Sequence, residues 1–211
     1  MSTLRSLREV ADVVTAAMSS EYRIVVGIAG PPGAGKSTIA GQLVEVLQPS
    51  AVLLPMDGFH LPQSRLVELG RRDRMGAPDT FDVQLFRNTL VAIRRGFGNS
   101  GDSVFGPGFA REIEEPVAEA IDIAPEFSCV VIEGNYLLLD SGGWERTAPM
   151  LDLSFYVDLA DEVRHARLVA RHEQFGKSPE DARRWALGPD ESNARPIEAT
   201  AERADYRIAL G

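Results

Sequence analysis

A lysine and two hydroxyl residues close a glycine-rich run near the N-terminus, Gly30-Pro31-Pro32-Gly33-Ala34-Gly35-Lys36-Ser37-Thr38. The spacing fits G-x-x-x-x-G-K-[ST], a pattern whose chemistry is phosphate binding. Glycines lack a Cβ, so the backbone N–H groups of such a loop can close around an anion. A helix that starts there adds its positive dipole end. Lys36 offers a compact ammonium to the β- and γ-phosphates, and the Ser37 hydroxyl is a ligand for Mg²⁺. Gly30, Gly33, Ala34, Gly35, Lys36, Ser37 and Thr38 are therefore the expected nucleotide-binding set.

Two acids and a group of arginines extend the chemistry. Asp57 directly follows the apolar run Ala51–Met56. In an open α/β sheet, ligands bind at the carboxyl ends of the strands. A carboxylate there could accept the proton of an attacking hydroxyl, with Gly58 leaving room for a substrate to approach. A plain turn aspartate in Asp57-Gly58 fits the same residues. Glu133 ends the run Cys129-Val130-Val131-Ile132 and fits the acid that holds Mg²⁺ beside a phosphate loop, directly or through water. A solvent-facing acid at a strand end is the plainer alternative. Arg164, Arg167 and Arg171 recur at i, i+3 and i+7, one face of a helix. That face could close over phosphates as a lid, or simply be solvated.

These residues need elements to position them. Ile24-Val25-Val26-Gly27-Ile28-Ala29 reads as a buried parallel strand leading into the phosphate loop. Ile39, Leu43, Val46 and Leu47 follow at helical spacing. Further strands are expected at Ala51–Met56, Ser128–Ile132, Leu153–Val157 and Tyr206–Leu210. Helices are expected over Ser2–Ser19, Pro62–Gly70, a segment capped by Asp79 or Thr80, Asp161–His172, a short stretch to Leu187, and Asp190–Arg203. Gly96–Gly101 reads as a turn-rich linker and Gly106–Arg111 as loop. Strands alternating with helices predict an α/β fold, a doubly wound parallel sheet of five strands with a small helical lid over roughly residues 161–187. The 211 residues are expected to form one domain.

Composition sets further bounds. A net charge of −9 and a pI near 4.9 argue against nucleic acid or an anionic membrane as main partner. No apolar run approaches the ~18 residues of a membrane span, and no signal pattern is seen, so a cytoplasmic protein is expected. Cys129 is the single cysteine and reads as a buried, inert thiol. His60, His165 and His172 are scattered and form no zinc pattern.

The longer motifs carry a resemblance. Met56-Asp57-Gly58-Phe59-His60-Leu61-Pro62, Arg74-Met75-Gly76-Ala77-Pro78-Asp79-Thr80-Phe81-Asp82 and Val131-Ile132-Glu133-Gly134-Asn135-Tyr136-Leu137-Leu138 resemble the uridine kinase and pantothenate kinase branch of P-loop kinases. In particular they resemble bacterial proteins called fructose transport system kinases. The resemblance covers nearly the whole chain and implies ATP and Mg²⁺ as cofactors. It implies Asp57 as base toward a substrate hydroxyl, with Lys36, Arg167 and Arg171 also catalytic, and Ser37 with Glu133 at the metal. His60, Arg74, Asp79, Arg111 and Asn135 match positions near the acceptor. Asn193 lies in a shared stretch without an assigned role. Relatives often read Phe-Pro-Gly-Phe-Asp-Arg where this chain has Gly106-Pro107-Gly108-Phe109-Ala110-Arg111. Ala110 thus removes a polar group that could touch the acceptor.

The expectation is an ATP-dependent kinase that phosphorylates a hydroxyl of a sugar, nucleoside or vitamin alcohol. An NTP-hydrolysing regulatory switch without a small acceptor is the competing class. A non-catalytic or nucleic-acid-binding P-loop protein is a third, opposed by the acidic charge. Many relatives dimerise, so a homodimer is an open expectation.

Overall fold

A computed structural model describes residues 1–98 and 102–210. Asn99, Ser100 and Gly101 of the expected linker lie outside the described residues. Eight strands and seven α-helices run in the order β1 (Ser2–Leu4), α1 (Leu7–Ala17), β2 (Ile24–Ala29), α2 (Lys36–Val46), β3 (Ala51–Pro55), α3 (Gln63–Glu68), α4 (Val83–Arg95), β4 (Val104–Ala110), β5 (Glu115–Ile123), β6 (Cys129–Gly134), β7 (Leu153–Val157), α5 (Asp161–Gln174), α6 (Pro179–Leu187), α7 (Pro189–Glu198) and β8 (Tyr206–Ile208) among the described residues.

The main sheet is parallel throughout, in the order β1-β8-β7-β2-β6-β3. It has six strands, one more than the pattern predicts. The extra strand is β1, which takes the first residues of the expected N-terminal helix. Only three residues long, it has no periodicity of its own and exists by pairing with β8. The helix then starts at Leu7, where the Ser6 hydroxyl accepts the Glu9 N–H.

Alternation along the central strand builds a core on each face. Ile24, Val26 and Ile28 of β2 pack toward α1 and α2, with Val10, Val14, Ile39 and Leu43. Val25 and Ala29 face the other way, toward Phe86, Leu90 and Ile93 of α4 and Ile197 of α7. Helices therefore cover both faces, which makes the sheet doubly wound. Cys129 is fully buried in the first core, and burial pushes its thiol up to about 12. Two helix boundaries differ from the pattern. Asp82, rather than Asp79 or Thr80, caps α4 by accepting the Leu85 N–H at 2.8 Å. The last helix ends at Glu198, and a separate 3-10 turn covers Ala201–Arg203.

The stretch read as loop is a β-hairpin. β4 and β5 pair antiparallel as a separate two-stranded sheet, with an irregularity between Gly106 and Gly108. Its root docks on the turn that follows β3. A Cβ at Gly58 would lie 2.2 Å from the Pro107 carbonyl oxygen. So Gly58 makes room for the hairpin backbone, not for a substrate.

That contact predicts opposite outcomes for two glycine substitutions. Gly58→Ala forces the hairpin off its seat and should destabilise the protein by about 1–3 kcal/mol. Gly41 in α2 has nothing within 4 Å of a built Cβ. Gly41→Ala should stabilise by about 0.5–1 kcal/mol. Thermal unfolding of the two variants checks both signs.

Candidate active site

The parallel register brings three chain segments to one edge. β6 pairs with β2 so that Ile28 faces Glu133 and Ala29 faces Gly134. β3 pairs with β6 on the other side, with Pro55 opposite Glu133. The loop after β2, the turn after β3 and the end of β6 therefore open into the same cleft, of about 1010 Å³.

In the loop, Gly33 has φ +81°, and a Cβ there would sit 2.8 Å from the Arg164 carbonyl oxygen. A side chain is excluded both by the backbone and by α5. Gly33, Gly35, Lys36, Ser37 and Thr38 line the cleft. Ala34 turns inward and packs in the core. Gly30 lies behind the loop, against Val157.

Lys36 opens α2 and is buried, and its ammonium donates to the Pro31 carbonyl at 3.0 Å. Burial lowers its pKa to about 8, against the pull of Glu133 and Asp57. The Ser37 hydroxyl donates to Glu133 Oε1 at 3.0 Å. Glu133 is itself buried. Burial and the Asp57 carboxylate push its pKa up, and Lys36 and the Ser37 hydrogen bond oppose this. A buried acid in that state gains from a nearby cation.

Asp57 sits in the 3-10 turn Met56–Phe59, and its Oδ2 accepts from Arg111 Nη2 at 2.9 Å. His60 Nδ1 lies 2.8 Å from the Asp57 carbonyl oxygen. Its ring lies tilted against both Phe81 and Phe109, with centroids 3.9 and 5.0 Å away. Burial lowers the His60 pKa, which favours the neutral ring. Asn135 lines the cleft just beyond Glu133.

Arg167 and Arg171 project from α5 into the cleft, with Arg167 Nη1 3.3 Å from a Cβ built at Gly35, beside the loop. Arg164 does not join them, contrary to the stripe read from spacing. Its side chain is fully buried and pairs with Asp161 at 3.1 Å and Glu191 at 2.5 Å. It ties α5 to α7 beneath the phosphate loop. Arg74 and Asp79 are also not brought to the cleft wall. They form a two-pronged ion pair, with Arg74 Nη2 to Asp79 Oδ2 at 2.7 Å. The Arg74 hydrogen bond holds the Asp79 carboxyl below the usual carboxylate range.

Several cleft residues escaped the sequence reading. Phe109, Glu112, Ile113 and Glu114 come from the hairpin, and Lys177 and Trp185 from the α5–α6 region. Lys177 Nζ stands 4.6 Å from the centre of the Trp185 ring. Asn193, without a role from sequence, also lines the cleft. For the hairpin, the available signal was the alternation Ile121-Asp122-Ile123 in β5.

Residues 25–206 match the model of the phosphoribulokinase/uridine kinase family. A Schizosaccharomyces pombe protein, provisionally named uridine kinase, is 30% identical over 167 residues, spanning 74% of this chain and 68% of that one. The Escherichia coli protein YggC is 30% identical over 198 residues, or 92% and 80% of the two chains. A crystal structure from Silicibacter sp. TM1040, provisionally named fructose transport system kinase, superposes with a TM-score of 0.88 at 33% identity, covering 97% of this chain and 99% of that one.

The two kinds of arginine on α5 should separate experimentally. Arg164→Ala removes the buried link between α5 and α7, though Glu191 keeps Arg195 and His165, and should cost about 1–3 kcal/mol of stability. Arg167→Ala, at an exposed position, should leave stability within about 0.5 kcal/mol. Denaturant unfolding of both variants is the check.

Proposed function

We propose that this chain, which belongs to the phosphoribulokinase/uridine kinase family, is an ATP- and Mg²⁺-dependent kinase that moves the γ-phosphoryl group to a hydroxyl of a small molecule. One observation carries the reading. The phosphate loop, Glu133 and Asp57 end three neighbouring parallel strands and meet in one cleft.

Each residue has a task in that scheme. Backbone N–H groups from Gly33 to Thr38 hold the phosphates, and Lys36 leaves the Pro31 carbonyl for the β- and γ-phosphates. Ser37 and Glu133 would hold Mg²⁺, which neutralises phosphate charge when bound. The donor set fits that ion. Among the described residues no group of three His, Cys, Asp or Glu is arranged for a metal, and Mg²⁺ bound with a nucleotide takes few protein ligands and completes its shell with phosphates and water. Asp57 accepts the proton of the acceptor hydroxyl. Arg167 and Arg171 approach from α5, beside the loop, where charge spreads over the transferred group.

His60, Arg111 and Asn135 face the acceptor end. Arg74 and Asp79 shape the loop beside it through their ion pair. We read the whole chain as one P-loop kinase domain, with residues 161–187 as the lid. No helix among the described residues is long and apolar enough to cross a membrane, and the proposed reaction belongs in the cytoplasm, where ATP is supplied. The two relatives whose names mention a compound mention different ones, uridine and fructose. The acceptor is therefore left to the shape of the cleft, among sugars, nucleosides and vitamin alcohols.

ADP release from MgATP across fructose and other sugars, uridine, cytidine, nicotinamide riboside and pantothenate tests the proposal. One acceptor should raise turnover far above the basal rate. Asp57→Ala should then lower transfer by about 10²–10⁴-fold while ATP affinity, measured by calorimetry, stays unchanged. A flat panel together with hydrolysis stimulated by a partner protein would overturn the kinase reading in favour of a switch.

A further inference from the structure

We infer that Arg111 is a positioning residue that restrains the base: in the acceptor-free enzyme its guanidinium holds the Asp57 carboxylate and keeps it from activating water. This rests on the reading of Asp57 as the base.

The pairing is built into the fold. The hairpin root is fixed to the very turn that carries Asp57. The Pro107 carbonyl fills the space over Gly58, and the Phe109 ring lies tilted against His60. Gly106 lies against Leu54, so that a Cβ there would be 2.5 Å from Leu54 Cδ1. β4 is thereby held in one position, and Arg111 leaves it directly above Asp57, 2.9 Å from Oδ2. Ala110, next to it in the chain, offers Arg111 no competing carboxylate.

The contact is also made to be broken. The two side chains are 43% and 30% exposed, so solvent screens the pair and it exchanges readily. Beyond Arg111 the hairpin tip is held to the neighbouring segment by Arg72 on Glu114 and by Gln63 on the Ile113 carbonyl.

The physical need is plain. An open cleft admits water wherever it admits an alcohol. Hydrolysis would follow the same course as transfer: the water oxygen bonds to the γ-phosphorus, ADP leaves, and the water proton passes to Asp57. While Oδ2 accepts from Arg111 it is occupied, and a water in the cleft must compete with the guanidinium for it. An acceptor that enters beside Asp57 brings its own hydroxyls to Arg111, and the guanidinium can turn to them, freeing the base only when there is something to phosphorylate.

The test needs no identified acceptor. With MgATP alone, Arg111→Ala should hydrolyse ATP about two- to fivefold faster than the unmodified protein, the range of a screened ion pair. Arg111→Lys, which keeps a positive charge without the planar fork, should raise the rate less than Arg111→Ala does. The double variant Asp57→Asn with Arg111→Ala should lose the gain. A second readout uses no nucleotide: a water-soluble carbodiimide with an amine should label Asp57 faster in Arg111→Ala, measured by peptide mass mapping. Unchanged labelling would overturn the restraint. So would faster labelling with no rise in hydrolysis. Faster labelling with a rise that survives Asp57→Asn would instead remove Asp57 as the base.

Discussion

The parallel register of β2, β6 and β3 is the constraint on which the candidate site depends. It sets Ile28 against Glu133 and Glu133 against Pro55. Two buried charges follow from it, Lys36 and Glu133, brought to one place by strands that carry no other polar group there. Burying either alone would be costly, and each lowers the cost of the other. Their pKa directions record the compromise: Lys36 is lowered and Glu133 raised, both mainly by burial. On the proposed reading, a nucleotide's phosphates and a divalent cation would add their charges to this buried pair, which the fold already holds in place.

Arginine does most of the remaining electrostatic work, and its role is decided by burial rather than by spacing. Arg164 and Arg167 lie one turn apart on α5, yet one is locked among carboxylates and the other is exposed to the cleft. Arg23 shows a third use. Fully buried, it donates to the carbonyls of Phe127, Ile93 and Ala124. It pins the end of α4 to the chain leading into β6. A planar fork with five donors suits each of these tasks, where an ammonium would not. The chain has two lysines, Lys36 and Lys177, and both line the cleft.

Legibility in the sequence follows the same divide. β2, β3, β6 and β7 are continuous apolar runs, because a parallel sheet covered on both faces demands them. The phosphate loop, Asp57 and Glu133 lie at the ends of those runs, so pattern and position gave them together. β1 was hidden because three residues carry no period. The hairpin was hidden because Gly106, Pro107 and Gly108 signal a turn, whereas here they thin the strand so that it can lie on Gly58. The diversion of Arg164 and the mutual capture of Arg74 and Asp79 were out of reach for another reason. They depend on partners from other segments, and one-dimensional spacing cannot say which of several charged neighbours a side chain will find.

That division bears on where specificity resides. The legible part, the sheet and the phosphate loop, handles what every nucleotide offers. The hairpin, which spacing did not show, and the α5–α6 region, whose helices it did, form the remaining walls of the cleft, and on the proposed reading an acceptor would fit against them. Glu112, Ile113 and Glu114 on one side and Lys177 and Trp185 on the other share no period and come from different elements. Elements held by few neighbours can change residue by residue without disturbing the core. The sheet cannot, because a shift of one residue in β6 would carry Glu133 away from Ser37 and turn its side chain to the other face. On the proposed reading the acceptor end is therefore free to vary in sequence, while the geometry of the phosphate end stays tied to the strand register.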